Sequence, residues 1–298
     1  MNYHPLGKSA LSVSEIGFGC MSLSSNETES EKIINMALDG GINFFDTADL
    51  YDKGANEIVV GKALKAHRKN VIIATKAGNQ WRADGSGWDW NPDPAYLRSQ
   101  VEKSLTSLQT DYIDLYQLHG GTIEDPIDDI IEMFEQLQQQ GKIRYYGISS
   151  IRPNVIRQYV QRSNIVSVMM QYSLLDRRPE ESCFSLLQEH TIGVLARGSL
   201  AQGLLINKPA KPYLNYSKEE VQQAANAVHS LSTNKRNATH TALRFVLQQP
   251  AVTSAVVGIR TEEQLKDILL TLNTETLTEA ELNELRTSVP QNQYEQHR

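Results

Sequence analysis

Cysteine is scarce in this chain. Its 298 residues include two, Cys20 and Cys183. So few, so far apart, they form neither a disulfide framework nor a metal-ligand spacing, and no metal site is expected. Long apolar runs are missing as well, and no window approaches the ~20 residues that span a bilayer. The opening residues, Met1-Asn2-Tyr3-His4-Pro5-Leu6, lack a basic segment leading into an apolar one, so no secretory signal is expected. There is no surplus of positive charge. The formal net charge of -6 argues against a nucleic-acid-binding surface. No block of like charge is long enough to form a tail. Linkers and low-complexity stretches are also lacking. These absences predict one domain over residues 1–298, resident in a reducing cytoplasm, with neither nucleic acid nor membrane as partner. They leave the oligomeric state open.

What is present is a repeat of short apolar runs and helical patterns. Hydrophobic residues make up 40% and charged residues 21%, as in an ordinary globular protein. Eight apolar runs occur: Ile16 to Phe18, Ile42 to Phe45, Val71 to Thr75, Ile113 to Leu118, Ile143 to Ile148, Ile165 to Met170, Ile192 to Ala196 and Val252 to Val257. Several lack alternation, which suits strands buried on both faces of a parallel sheet. Between them, Ile33, Ile34, Ala37 and Leu38 share one helix face, and Gly40-Gly41 stops that helix. Leu97, Val101, Leu105 and Leu108 do the same after Pro94, and Ile130, Ile131, Phe134 and Leu137 before Gly141. The length suits a barrel of ~250 residues with additions. The fold class predicted is α/β, a (β/α)8 TIM barrel. An N-terminal β-hairpin around Gly7-Lys8 would cover its bottom, and long loops would lie at its C-terminal face. Thr278-Glu279-Ala280-Glu281 is a capping box and predicts a last helix.

Four polar residues stand where these runs stop: Asp46, Lys76 and His119 after three successive strands, and Tyr51 in the loop after Asp46. Taken singly, each has an ordinary explanation. Asp46 could cap a turn, Tyr51 could pack, His119 could be a satisfied structural histidine, and Lys76 could be solvated or a Schiff-base nucleophile, as in a barrel aldolase. On a barrel they converge at one mouth. A lysine cation favours phenolate, so Lys76, held by Asp46, would ready Tyr51 to protonate a carbonyl oxygen, and His119 could hold that oxygen. A second possibility lies in Gly17-Phe18-Gly19-Cys20-Met21-Ser22, which nearly matches the dinucleotide fingerprint of an open sheet. Serine replaces its third glycine, and helical spacing resumes only near Thr28, so the reading is rejected.

The motifs in order resemble those of the aldo-keto reductases over nearly the whole chain. They are Phe45-Asp46-Thr47-Ala48-Asp49-Leu50-Tyr51, Asn56-Glu57 with Val60-Gly61-Lys62-Ala63-Leu64, Ala74-Thr75-Lys76, Tyr112 to His119, and Gly141-Lys142-Ile143-Arg144-Tyr145-Tyr146-Gly147-Ile148-Ser149. The resemblance implies reduction of a small aldehyde or ketone by NADPH, giving NADP+, with Tyr51 as general acid, Asp46 and Lys76 as its tuning pair, and His119 orienting the substrate. It assigns the cofactor to Cys20, Met21 and Asp46, with Ser149 and Gln171 at the nicotinamide carboxamide. Gly198, Ser199, Leu200, Gln202 and Gly203 would cover the pyrophosphate, and Gly258, Ile259, Arg260 and Gln264 would grip the adenosine phosphate. A guanidinium such as that of Arg260 suits a phosphate dianion. Departures from the family pattern are Ser150 and Ile268, where asparagine is common, Asp52-Lys53-Gly54 after the tyrosine, and Arg197, where relatives usually place an aromatic ring against the nicotinamide. For Arg197 the alternative is a salt bridge at the barrel rim. All three tryptophans, Trp81, Trp88 and Trp90, lie in the loop from Ala77 to Asp93. They either line a substrate pocket or form a small core that keeps the loop folded. Two other functions stay open at this point: a barrel aldolase using Lys76, and a non-catalytic cofactor-binding subunit that senses redox state.

Overall fold

The computed structural model describes residues 1–24 and 26–298. The strands are β1 (Tyr3–Pro5), β2 (Ser12–Ser14), β3 (Ile16–Gly19), β4 (Phe44–Asp46), β5 (Ile72–Ala77), β6 (Asn79–Trp81), β7 (Trp88–Trp90), β8 (Ile113–Leu118), β9 (Ile143–Ser149), β10 (Ser167–Gln171), β11 (Gly193–Arg197) and β12 (Val252–Gly258). The helices are α1 (Glu27–Asp39), α2 (Ala55–Leu64), α3 (Pro94–Ser107), α4 (Ile127–Gln139), α5 (Pro153–Arg162), α6 (Cys183–Glu189), α7 (Lys218–Ser230), α8 (Ala238–Leu247), α9 (Glu262–Leu270) and α10 (Glu279–Ser288).

Strands β3, β4, β5, β8, β9, β10, β11 and β12 close into a barrel with every pairing parallel. The eight apolar runs fall on these eight strands, with either end displaced by at most two residues. The helices start where local chemistry starts them. Asp93 caps α3 with Pro94 in its first turn, and Thr278 caps α10 in a capping box with Glu281. Apolar helix residues such as Ile34, Leu97, Phe134 and Leu243 pack with outward strand residues such as Phe45, Ile73 and Tyr116 in one large cluster between sheet and helices. A second cluster fills the barrel interior: Phe44, Ile72, Ala74, Leu115, Met169, Leu195 and Val256, with Leu6, Leu11 and Val13 closing it from below. The last three come from the hairpin β1–β2, as expected for the bottom of the barrel. Its turn residue Gly7 has φ +55°, and a Cβ there would meet the Val166 carbonyl oxygen at 2.3 Å, so only glycine lets the plug seat.

The tryptophan loop contains structure of its own. β6 and β7 form an antiparallel hairpin, with Trp81 opposite Trp88 and Asn79 opposite Trp90.

Candidate active site

Side chains alternate along a strand, so every second residue points into the barrel. Following the interior cluster upward gives the site directly. Phe44 leads to Asp46, Ile72 and Ala74 to Lys76, Leu115 to Gln117 and His119, Met169 to Gln171, and Leu195 to Arg197. The apolar layers give way to a polar top layer at the C-terminal ends of the strands, where barrel sites are built. Register puts Lys76 beside Gln117 and Gln171 beside Arg197.

Lys76 and Asp46 are both buried, and Lys76 Nζ donates to Asp46 Oδ2 at 2.6 Å and to the Thr47 carbonyl at 2.8 Å. Gln117 Nε2 donates to the other oxygen, Asp46 Oδ1, at 3.3 Å. Burial works to discharge Lys76, but Asp46 and Tyr51 outweigh it and hold the ammonium protonated above its usual range. The Tyr51 ring lies 5.0 Å from Lys76 Nζ and meets the His119 ring edge-on, with centroids 6.2 Å apart. Tyr51 immediately precedes a tight turn in which Asp52 (φ 48°), Lys53 (φ 56°) and Gly54 (φ 89°) are all left-handed. Burial pushes the Tyr51 phenol above its ordinary value; Lys76 pulls it back and Asp46 adds to the rise. The reading that Lys76 tips Tyr51 toward phenolate is therefore corrected: desolvation outweighs the lysine. A phenol that keeps its proton is still a usable acid. His119 is pushed down to about 3 by burial, with Lys76 and Arg197 adding to the shift, so its imidazole is neutral at ordinary pH. Its buried Nδ1 has no hydrogen-bond partner among the described residues.

Apart from Asp46, the residues assigned to a cofactor lie at the C-terminal ends of the other barrel strands or in the segments after them. Ser149 is buried at the end of β9, and Gln171 and Arg197 are half-buried at the ends of β10 and β11. Arg197 makes no ion pair among the described residues, which removes the rim salt bridge there, and it acts electrostatically on Asp46, Tyr51 and His119. After β11, Gly198 (φ 73°), Ala201 (φ 46°), Gln202 (φ 58°) and Gly203 (φ 91°) are left-handed. Such runs turn successive amide groups toward one side and favour anions. Leu200 is half-buried in this loop, and buried Ser199 Oγ has no partner among the described residues. Gly258 ends β12, Ile259 is buried, and exposed Arg260 precedes the N-terminus of α9, where the Arg260 amide donates to Gln264 Oε1 at 3.0 Å. A left-handed loop, an unpartnered buried hydroxyl and an arginine at a helix N-terminus fit a phosphorylated dinucleotide. Of Cys20 and Met21, Cys20 is fully buried with its carbonyl bonded to Asn56, and Met21 is exposed.

The tryptophans divide. Trp81 Nε1 donates to the Leu50 carbonyl next to Tyr51 at 3.1 Å, and Lys53 Nζ lies 5.2 Å from its ring centroid. Trp90 donates to Asp125 and packs so closely on Gly78 that a Cβ there would lie 2.4 Å from its ring. Trp88 is half exposed. The hairpin thus has its own packing at Trp90, and it touches the site through Trp81. Sequence reasoning passed over Gln117, although its place two residues before His119 on an inward-facing row was signal enough. It also gave Asn56 and Glu57 no role.

Comparisons with known proteins follow the same line. The family model for the aldo/keto reductase family matches residues 15–289. An uncharacterised oxidoreductase of Bacillus subtilis (strain 168), YqkF, is 50% identical, with all of both chains covered. The holo form of the aldo-keto reductase AKR11C1 from Bacillus halodurans superimposes with a TM-score of 0.94 at 49% identity, covering 100% of this chain and 99% of the other. The glycerol dehydrogenase AKR11B4 of Gluconobacter oxydans gives 0.86 at 25% identity, covering 96% and 94%.

Proposed function

We propose an activity from one premise: this chain belongs to the aldo/keto reductase family, whose model spans residues 15–289. The family's general chemistry is carbonyl reduction. The finer reading is that the chain reduces an aldehyde or ketone to an alcohol with NADPH, acting as one domain over residues 1–298 in a reducing cytoplasm. Both cysteines are buried and free, which suits that compartment, and no helix among the described residues is long and apolar enough to cross a membrane.

When bound, the nicotinamide cofactor supplies the hydride. The chain's own residues do the rest. Neutral His119 donates a ring N–H to the substrate oxygen. Tyr51 delivers its phenolic proton to that oxygen as negative charge develops there. Protonated Lys76, fixed by Asp46 and the Thr47 carbonyl, stabilises the resulting phenolate. Ser149 and Gln171 would hold the carboxamide, the 198–203 loop would cover the pyrophosphate, and Arg260 would meet the phosphate monoester.

The observation that carries this reading is the Lys76–Asp46 contact at 2.6 Å beside the Tyr51 ring. It also weighs against the aldolase reading. A Schiff-base lysine must shed its proton, and here Asp46 holds that proton on. The test is NADPH oxidation followed by absorbance over a panel of aldehydes, ketones and quinones. Turnover that fails in Tyr51→Phe supports the reading. Tight NADPH binding without turnover on any carbonyl would replace it with a redox-sensing subunit, and borohydride trapping of a substrate on Lys76 with an aldolase.

A further inference from the structure

The site rests on inward-facing residues. Their outward-facing neighbours show a second pattern. Thr47 follows Asp46 and Thr75 precedes Lys76, and by alternation both point out of the barrel, toward α2. Both meet side chains from the first turn of that helix. Thr47 Oγ1 donates to Asn56 Oδ1 at 2.7 Å, and Thr75 Oγ1 donates to Glu57 Oε1 at 2.6 Å. Asn56 Nδ2 also donates to the Cys20 carbonyl, just past the end of β3, at 2.9 Å. Two adjacent residues therefore bond to the ends of three barrel strands. The grip continues inward, because the Thr47 carbonyl is itself a partner of Lys76 Nζ.

These are unusual residues for plain packing. Asn56 is 3% exposed and Glu57 2%. An apolar residue there would avoid the cost of taking an amide and a carboxyl out of water. The α2 helix is also a firm base. At Gly61 a Cβ would lie 2.6 Å from the Leu108 backbone, so α2 sits tightly against the end of α3. The loop carrying Tyr51 runs between Thr47 and Asn56, so the hydrogen bond between those two ties its ends together.

We propose that Asn56 and Glu57 are positioning residues for carbonyl reduction: they clamp the ends of β3, β4 and β5 from outside and so fix Lys76 and the Tyr51 turn relative to each other. The assignment rests on the reductase reading given above. Neither side chain touches substrate or cofactor. Both act through Thr47 and Thr75.

The test uses the full-length chain with Asn56→Ala, Glu57→Ala and Glu57→Gln. Rates are normalised to the fraction of protein that binds NADPH, which removes losses from misfolding. Misplacing a catalytic group by about 1 Å can cost ~100-fold, so both alanine variants should lose about tenfold to hundredfold in kcat with unchanged KM for the carbonyl and unchanged NADPH affinity. Glu57→Gln keeps an acceptor for Thr75 Oγ1 and should recover most of that loss. A second readout needs no turnover. The ring-carbon NMR signal of Tyr51, identified by its disappearance in Tyr51→Phe, should move in the alanine variants and return toward its original position in Glu57→Gln. The clamp is overturned if kcat falls only in step with the NADPH-competent fraction, or if glutamine does no better than alanine. Should the unaltered chain turn over no carbonyl, the reductase reading fails by itself, and an unmoved Tyr51 signal in both alanine variants then overturns the clamp.

Discussion

Two carboxylates on barrel strands, Asp46 and Asp114, are buried against cations, alike in chemistry and opposite in use. Asp114 sits near the lower end of β8. It accepts from the Ile73 amide at 3.0 Å and pairs with Arg68 at 2.8 Å and Arg144 at 3.0 Å. The two guanidiniums also lie on the Tyr112 ring, 3.9 and 4.0 Å from its centroid. Asp46 sits at the upper end of β4 with Lys76 and Gln117. Burial pushes both carboxyls up, and the cations beside each pull back. The difference lies in what surrounds them. Around Asp114 the hydrogen-bonding capacity is spent. On the Asp46 side, Gln117 Oε1 and, two residues on, His119 Nδ1 are buried without partners among the described residues. A satisfied ion pair holds a fold together; an ion pair ringed by unsatisfied groups is prepared for something that arrives later.

The sharpest way to test this contrast is at Tyr51. Tyr51→Phe keeps the ring and removes the proton, and reduction should fall by ~10²–10⁴-fold while NADPH binding persists. Near-normal turnover under chemistry-limited conditions would remove Tyr51 as the acid.

The two ion pairs should then break differently. Asp114→Ala strands two arginines and should cost about 3–5 kcal/mol of stability, read by denaturant unfolding, with kcat of the folded fraction unchanged. Replacing the upper pair together, Asp46→Leu with Lys76→Met, should leave stability equal or higher and abolish turnover. Loss of stability at the top and of activity at the bottom would reverse the assignment.

Arg260→Ala removes one charge-assisted partner worth ~1.5–3 kcal/mol, so NADPH affinity should fall about tenfold to hundredfold and NADH affinity should hardly change. Equal losses, measured by titration of both cofactors, would mean that Arg260 supports its loop instead.

The smallest effect is expected at Arg197. Beside a nicotinamide, its charge would oppose the cationic oxidised ring and be indifferent to the neutral reduced one. Arg197→Tyr should therefore tighten NADP+ relative to NADPH, by about a few-fold once solvent has weakened the repulsion. An unchanged affinity ratio would point instead to an anionic group on the substrate.

Much of this was legible in the sequence, for a physical reason. Parallel strands buried on both faces are written as apolar runs, so β8 could be read residue for residue, and the polar residue ending each run marked Asp46, Lys76 and His119. The Trp81–Trp88 hairpin was not read. Its strands are three residues long, too short for a period, and only Asp84-Gly85 between alternating tryptophans hinted at a turn. The Asn56–Glu57 clamp escaped because its partners, Cys20, Thr47 and Thr75, are distant in sequence, and no local pattern records a bond across strands. The proton affinity of Tyr51 escaped for another reason: neighbours can be inferred from spacing, but depth of burial cannot.

The hairpin carries an optical consequence. It holds every indole in the chain, one of them bonded to the residue beside Tyr51. Emission excited at the red edge, where indole absorbs and tyrosine does not, therefore originates from a single small ribbon at the barrel mouth. A reduced nicotinamide absorbs where indole emits, so its arrival near that ribbon should quench the glow by energy transfer. The molecule brings its own gauge of occupancy, and no dye need be attached to read it.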